Sequence, residues 1–150
     1  RMNDEPLWWA TRDGDLDCAE LFTRHYSYRK REGRTDPRCI GPGEKLLLRT
    51  RHCDAMFAWR VFIDDSRDER TGERQHGVCC AIFRNESHHQ SSILIRQADA
   101  IADAVWPDRR HYTYVNREAI GSKNPGYCFQ RAGWRKCGLT KGGLIVLERL

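Results

Sequence analysis

A strand, a helix and a second strand follow one another between residues 77 and 116, and this unit constrains the fold more than any other part of the chain. Residues 77–83 hold an unbroken apolar run from Val78 to Phe83, which reads as a central strand. Ile93, Ile95, Ala98, Ile101, Ala102 and Val105 then recur at helical spacing, after Ser91 and Ser92 and before Trp106-Pro107, where proline forbids continuation. Strand alternation returns over 111–116, with Tyr112 and Tyr114 set against Thr113 and Val115. A strand that feeds a helix and returns as a strand lies parallel to the first.

The rest of the chain arranges itself around that unit. Leu16, Ala19, Leu21 and Phe22 share a face in a first helix over 15–26, opened by aspartates that suit a helix N-terminus. Gly41-Pro42-Gly43 breaks the chain, and residues 45–51 and 55–64 read as a hairpin. The charged stretch 64–77 is an exposed connection. Asn124-Pro125-Gly126 opens a short helix through Arg131, Gly133 closes it, and Gly142-Gly143 leads into a terminal strand over 144–150. The expected class is α/β, a single domain over residues 1–150 with a mixed, mostly antiparallel sheet and flanking helices.

Size and composition agree with one core. At 150 residues the chain is too short for two ordinary domains, and 10% aromatic content is too high for a disordered polymer. Its apolar runs, 46–48 and 144–147 among them and the six residues from Val78 to Phe83 included, fall far below the roughly 20 residues of a membrane span. The charged, Trp-rich start is unlike a signal peptide, so a cytoplasmic protein without membrane contact is expected. Seven cysteines, an odd number that includes the adjacent Cys79 and Cys80, read as reduced thiols rather than a disulfide framework.

Charge is unevenly placed. From Arg109 to Leu150 there are nine Lys or Arg against two Glu, a local charge of +7 in a chain whose total is +5. Arg29, Lys30, Arg31, Arg34 and Arg38 form a second basic cluster. Tyr26, Tyr28, Tyr112, Tyr114, Tyr127 and Trp134 are interspersed, a combination that suits phosphate contact and base stacking; the plain alternative is solubilising surface charge. Arg29, Lys30, Arg31, Arg117, Lys123, Arg135, Lys136 and Lys141 are the expected nucleic-acid contacts, with DNA the expected partner.

The segment Asn124-Pro125-Gly126-Tyr127-Cys128-Phe129-Gln130-Arg131-Ala132-Gly133-Trp134, together with the element order, resembles the GNAT acyltransferase superfamily. Its ending, Arg131-Ala132-Gly133-Trp134, looks like that family's second cofactor motif, although the frequent tyrosine four residues before the glycine is Phe129. The glycine-rich loop after the central strand is replaced by Arg84-Asn85-Glu86-Ser87-His88-His89-Gln90-Ser91-Ser92. With His25-Tyr26-Ser27, Arg84 and Ser91-Ser92, the chain looks most like the divergent phage Mom-type DNA modification proteins. The resemblance implies a cleft between two splayed parallel strands and an acetyl-CoA or related acyl-CoA donor. It also implies adenine N6 in DNA as acceptor and a bacterial or phage-infected cell as setting.

On that reading Arg84, Asn85, Ser91, Ser92, Asn116, Asn124 and Tyr127 would hold the donor, and Tyr26, His25, Arg84 and Ser92 would serve the chemistry. Acyl transfer needs a neutral amine, a donor for the oxyanion and a proton for the departing thiolate. Phe129 cannot supply that proton, so Tyr26 is the first choice and Tyr114 the second. Each assignment has a plainer one beside it. Arg84 could pair with Glu86, Ser91 and Ser92 could cap the helix, His25 could cap the preceding helix, and each tyrosine could simply pack. Cys79-Cys80 and His88-His89 lack metal-ligand spacing, so no metal is expected, though a single ion on His25 with His88 or His89 stays open. Acetylation of a small amine, a protein or an aminoacyl-tRNA, and a noncatalytic nucleic-acid-binding module, remain the alternative functions.

Overall fold

The structure, a computed structural model, describes residues 5–25, 27–29, 36–120 and 124–150. In chain order the elements are β1 (Trp9–Thr11), α1 (Leu16–Phe22), β2 (Glu44–Arg49), β3 (Ala55–Val61), β4 (Val78–Asn85), α2 (Ser91–Val105), β5 (His111–Val115), α3 (Arg117–Ile120), α4 (Tyr127–Arg131), β6 (Arg135–Leu139) and β7 (Ile145–Arg149). The strands form one open seven-stranded sheet in the order β1-β2-β3-β4-β5-β7-β6. Every neighbouring pair is antiparallel except β4 and β5, which α2 connects. No described helix is long and apolar enough to cross a membrane.

Each face of the sheet has its own core. Ala55, Phe57, Trp59, Val78 and Cys80 point to one face, where they meet Leu94, Ile95, Ala98 and Ala102 of α2 together with Phe129 and Trp134. Met56, Ala58 and Ile82 point to the other, against Cys18 and Leu21 of α1. β3 obeys strict alternation, but β4 does not. Ala58 pairs with Ile82 while the next residue, Trp59, pairs with Cys80, so Ala81 is an extra residue on β4. The bulge reverses the side-chain parity of everything beyond it. Ile82 and Arg84 therefore belong to the α1 face and Phe83 to the α2 face, where its ring lies 5.9 Å from that of Phe129.

The α2 face also buries a polar cluster. Asp99 of α2 is 2.7 Å from His111 Nδ1 through one carboxylate oxygen and accepts from Trp134 Nε1 at 2.9 Å through the other. Two indole donors close helix backbone to the sheet in the same layer, Trp59 Nε1 to the Ala98 carbonyl and Trp8 Nε1 to the Leu94 carbonyl. Buried polar groups satisfied in this way fix the register of a helix on a sheet, where apolar contact alone would let it slide.

Several expectations need correction. The first helix ends at Phe22, not residue 26, because the backbone bonds tighten to the i→i−3 spacing at Thr23, Arg24 and His25, with the Thr23 hydroxyl also donating to the Glu20 carbonyl. The short helix starts at Tyr127, not residue 124. Ser91 and Ser92 do not cap α2: Gln90 holds that position, and its side chain makes no capping hydrogen bond. β1, α3 and β6 were not anticipated. β1 has three residues, too few to show alternation, and β6 reads Arg-Lys-Cys-Gly-Leu, an edge strand whose charges hide its conformation. Trp134 and Tyr112 are buried, so neither belongs to a base-stacking surface.

Candidate functional site

β4 and β5 are paired at Val78 with His111, Cys79 with Tyr112 and Cys80 with Thr113, and then part. β4 continues to Asn85 and β5 to Val115 with no further pairing between them. A cavity of about 280 Å³ occupies the fork, lined among others by His25, Ala81, Phe83, Tyr114, Tyr127 and Phe129. Its walls come from both faces of the sheet, His25 from the α1 side and α4 from the other. Parting two parallel strands in mid-sheet leaves backbone N–H and C=O groups of β4 facing a void instead of a ladder.

The bulge and a glycine shape this opening. Ala81 stands exposed at the crotch of the fork, where the extra residue turns the strand. Gly126 precedes α4 with φ of +80°, and a Cβ there would lie 2.8 Å from Leu147 Cδ1, so a side chain at the start of α4 would meet both backbone strain and a close contact with β7. Tyr127 follows, half exposed at the mouth of the cavity. Asn124 also lines it and accepts from Lys136 Nζ at 3.0 Å.

His25 is the titratable group set deepest in the α1 wall, at 8% exposure. Ser27 N–H donates to its Nδ1 at 3.1 Å, and the Ser27 hydroxyl lies 2.7 Å from the same nitrogen. The ring proton therefore sits on Nε2, facing the Phe83 carbonyl. Burial, reinforced by the Arg84 charge, lowers its pKa to about 4. The imidazole is thus neutral near pH 7 with both nitrogens engaged, a bracket between the loop after α1 and the free part of β4 more than a ready base.

Tyr114 reaches the fork, but its hydroxyl donates to Asp64 Oδ2 at 2.7 Å, as does that of Tyr112. Burial and the Asp64 carboxylate both hold the Tyr114 hydroxyl protonated. Cys80 and Cys128, which also line the cavity, are pushed above the ordinary thiol range by burial and stay protonated. All seven cysteines are free thiols.

Arg84 lies apart from the cavity lining. Counted along an unbroken β4 it would share the face of Cys80, toward α2; the bulge sends it to the α1 face, where it pairs with Glu86 at 3.0 Å. Glu86 is also gripped by Arg24. Asn85 organises the following loop: its Nδ2 donates to the His89 carbonyl and the Ser91 hydroxyl, and its Oδ1 accepts from Ser87. Ser91 and Ser92 form the first turn of α2. Asn116 stands one residue beyond β5 and accepts from Glu118 N–H. His25, Asn124 and Tyr127 are thus brought together; Arg84, Asn85, Ser91 and Ser92 form a second group at the end of β4. Tyr26, Lys30, Arg31 and Lys123 lie outside the described residues.

The basic C-terminal segment is less cationic than its count. Arg110 and Arg135 both pair with Glu148 at 2.7 Å, and Arg149 pairs with Asp103 at 2.8 Å. Arg29 donates to the Tyr28 carbonyl. Sequence counting misses Arg24 and Ala81, whose positions no residue pattern announces; the glycine before the short helix is visible in Asn124-Pro125-Gly126. Among the described residues no group of three or more His, Cys, Asp or Glu could hold a metal ion. No family model, curated protein or solved structure matches the chain.

Proposed function

We propose that the protein is a GNAT-like transferase of the Mom-type branch that moves an acyl-derived group from an acyl-CoA donor, acetyl-CoA or a relative, to adenine N6 in DNA. The observation that carries this reading is the fork between β4 and β5. Such a gap accepts an extended, amide-bearing arm against the unpaired edge of β4 in the manner of an added strand, and leads it into a cavity walled from both faces. The first turn of α2, uncapped by any side chain, offers free amides and the positive end of a 15-residue helix to a pyrophosphate.

An exocyclic adenine amine has almost no proton to lose at neutral pH, so catalysis rests on positioning and charge stabilisation. A neutral His25 suits that demand: it orients the acceptor wall without placing a charge in the cleft. A second reading, acetylation of a small amine or a protein, is favoured by the internal pairing of Arg110, Arg135 and Arg149, which lowers the free charge of the basic C-terminal segment and engages Arg135, one of the expected nucleic-acid contacts. Mass analysis of nucleosides from DNA of cells expressing the protein separates the two. A new modified deoxyadenosine is the expected result; unchanged DNA with an acylated amine pool would replace the first reading by the second.

A further inference from the structure

Arg24, from the turn after α1, and Arg84, near the end of β4, meet on a single carboxylate. Arg24 Nε lies 2.8 Å from Glu86 Oε2 and its Nη2 3.1 Å from Oε1, a two-pronged contact. Arg84 approaches Oε2 through Nε at 3.1 Å and Nη2 at 3.0 Å. All three side chains reach solvent, with exposures of 46%, 39% and 29% for Arg24, Arg84 and Glu86. One guanidinium fork on both oxygens and a second on the shared Oε2 form a donor arrangement that a phosphate ester can accept.

We propose that Arg24 and Arg84 form a clamp for a phosphodiester of the acceptor strand, occupied in the free protein by Glu86. The proposal rests on the transferase reading above and adds how the acceptor is held. Position supports it: the bulge at Ala81 turns Arg84 to the α1 face, the face from which His25 enters the cleft, and away from α2, whose first turn suits the donor. Charge supports it too. Two cations share one carboxylate at the trio itself, and Glu20, the further acid paired with Arg24 among the described residues, offsets the remaining charge weakly, being 78% exposed and 3.9 Å away. The exchange needs little motion, because Glu86 N–H is anchored to the Asp54 carbonyl at 2.7 Å and only the side chain has to swing aside. The two arginines hold the Glu86 carboxyl below its usual range, Arg24 first, as expected of a strongly held internal anion.

A phosphate ester could come from the nucleic-acid backbone or from a CoA-type donor, and two titrations of the full chain tell them apart. One follows binding of a fluorescent single-stranded oligodeoxynucleotide across a salt series; the other follows binding of coenzyme A. Arg24→Gln is expected to weaken oligonucleotide binding several-fold and to reduce the salt slope by about one, with coenzyme A affinity unchanged. Glu86→Gln empties the clamp and is expected to tighten oligonucleotide binding several-fold, a gain that misfolding cannot produce. Loss of coenzyme A affinity in Arg24→Gln with oligonucleotide binding intact would overturn the acceptor assignment. No change in either titration for either variant would reduce the trio to an ion pair between α1 and β4. These outcomes are separable from the parent reading: wild-type protein that modifies DNA while Arg24→Gln binds DNA normally refutes the clamp alone, and wild-type protein that binds no acyl-CoA refutes the transferase alone.

Discussion

The Thr113 hydroxyl donates to the Cys80 carbonyl at 2.9 Å, and these two residues are the last at which β4 and β5 are paired. The bond pins the crotch of the fork. Thr113→Val keeps the shape and removes the donor from a buried carbonyl, so it should cost about 1–2 kcal/mol in denaturant unfolding. It should also weaken coenzyme A binding, because the fork no longer opens at a fixed point. Unchanged affinity alongside reduced stability would confine Thr113 to folding.

The cleft itself can be closed without touching the core. Ala81 is exposed at the bulge and lines the cavity, so Ala81→Phe places a ring in the opening while the sheet stays intact. Calorimetric titration with coenzyme A should show at least a tenfold loss of affinity, about 1.4 kcal/mol, at a melting temperature within a few degrees of wild type.

His25 makes stability depend on pH. Its pKa falls from 6.5 to about 4 on folding, so the unfolded chain takes up a proton that the native chain refuses. The stabilisation is fully present above pH 6.5 and is lost as pH falls from there toward 4, by up to about 3 kcal/mol. Denaturant unfolding between pH 7 and 4 should show this decline in the wild type and a shallower one in His25→Gln; parallel slopes would show that other groups set the acid limb.

Asp99 serves two buried donors at once, His111 and Trp134. Asp99→Ala should cost about 2–5 kcal/mol, since neither partner can reach water, and Asp99→Asn less, because one acceptor oxygen is kept. Equal losses in the two variants would mean that the carboxylate charge, not the count of acceptors, holds the cluster.

Basic residues of the C-terminal segment should not contribute alike to DNA binding. Arg135 is already paired with Glu148, whereas Lys141 lies in the exposed turn before β7. Lys141→Gln should weaken binding and flatten the salt slope more than Arg135→Gln does. The reverse order would show that DNA displaces Glu148.

Much of this architecture was legible along the chain. The 3.6-residue period of α2, stopped at Trp106-Pro107, and the apolar run of β4 predicted the strand–helix–strand unit and its parallel pair. What stayed hidden is what depends on a count of one. Nothing in Cys79-Cys80-Ala81-Ile82 announces a bulge, because all four side chains are apolar and either parity buries them. Arg84 therefore seemed aimed at the loop before α2, and its partner Arg24, 60 positions earlier, could not be inferred. Net charge misled for a related reason: composition adds Arg110, Arg135 and Arg149 to a surface, while the fold spends them on Glu148 and Asp103.

Ala81 is the one residue of β4 that the register of the sheet can do without. Deleting it would join Cys80 directly to Ile82 and restore strict alternation along β4, with Ile82 and Arg84 still on the α1 side and Phe83 still on the α2 side, because the bulge already absorbs the extra residue. A lineage that lost that one residue would keep both faces of the sheet as they are and change only the exposed bend at the crotch of the fork, and with it the shape of the opening.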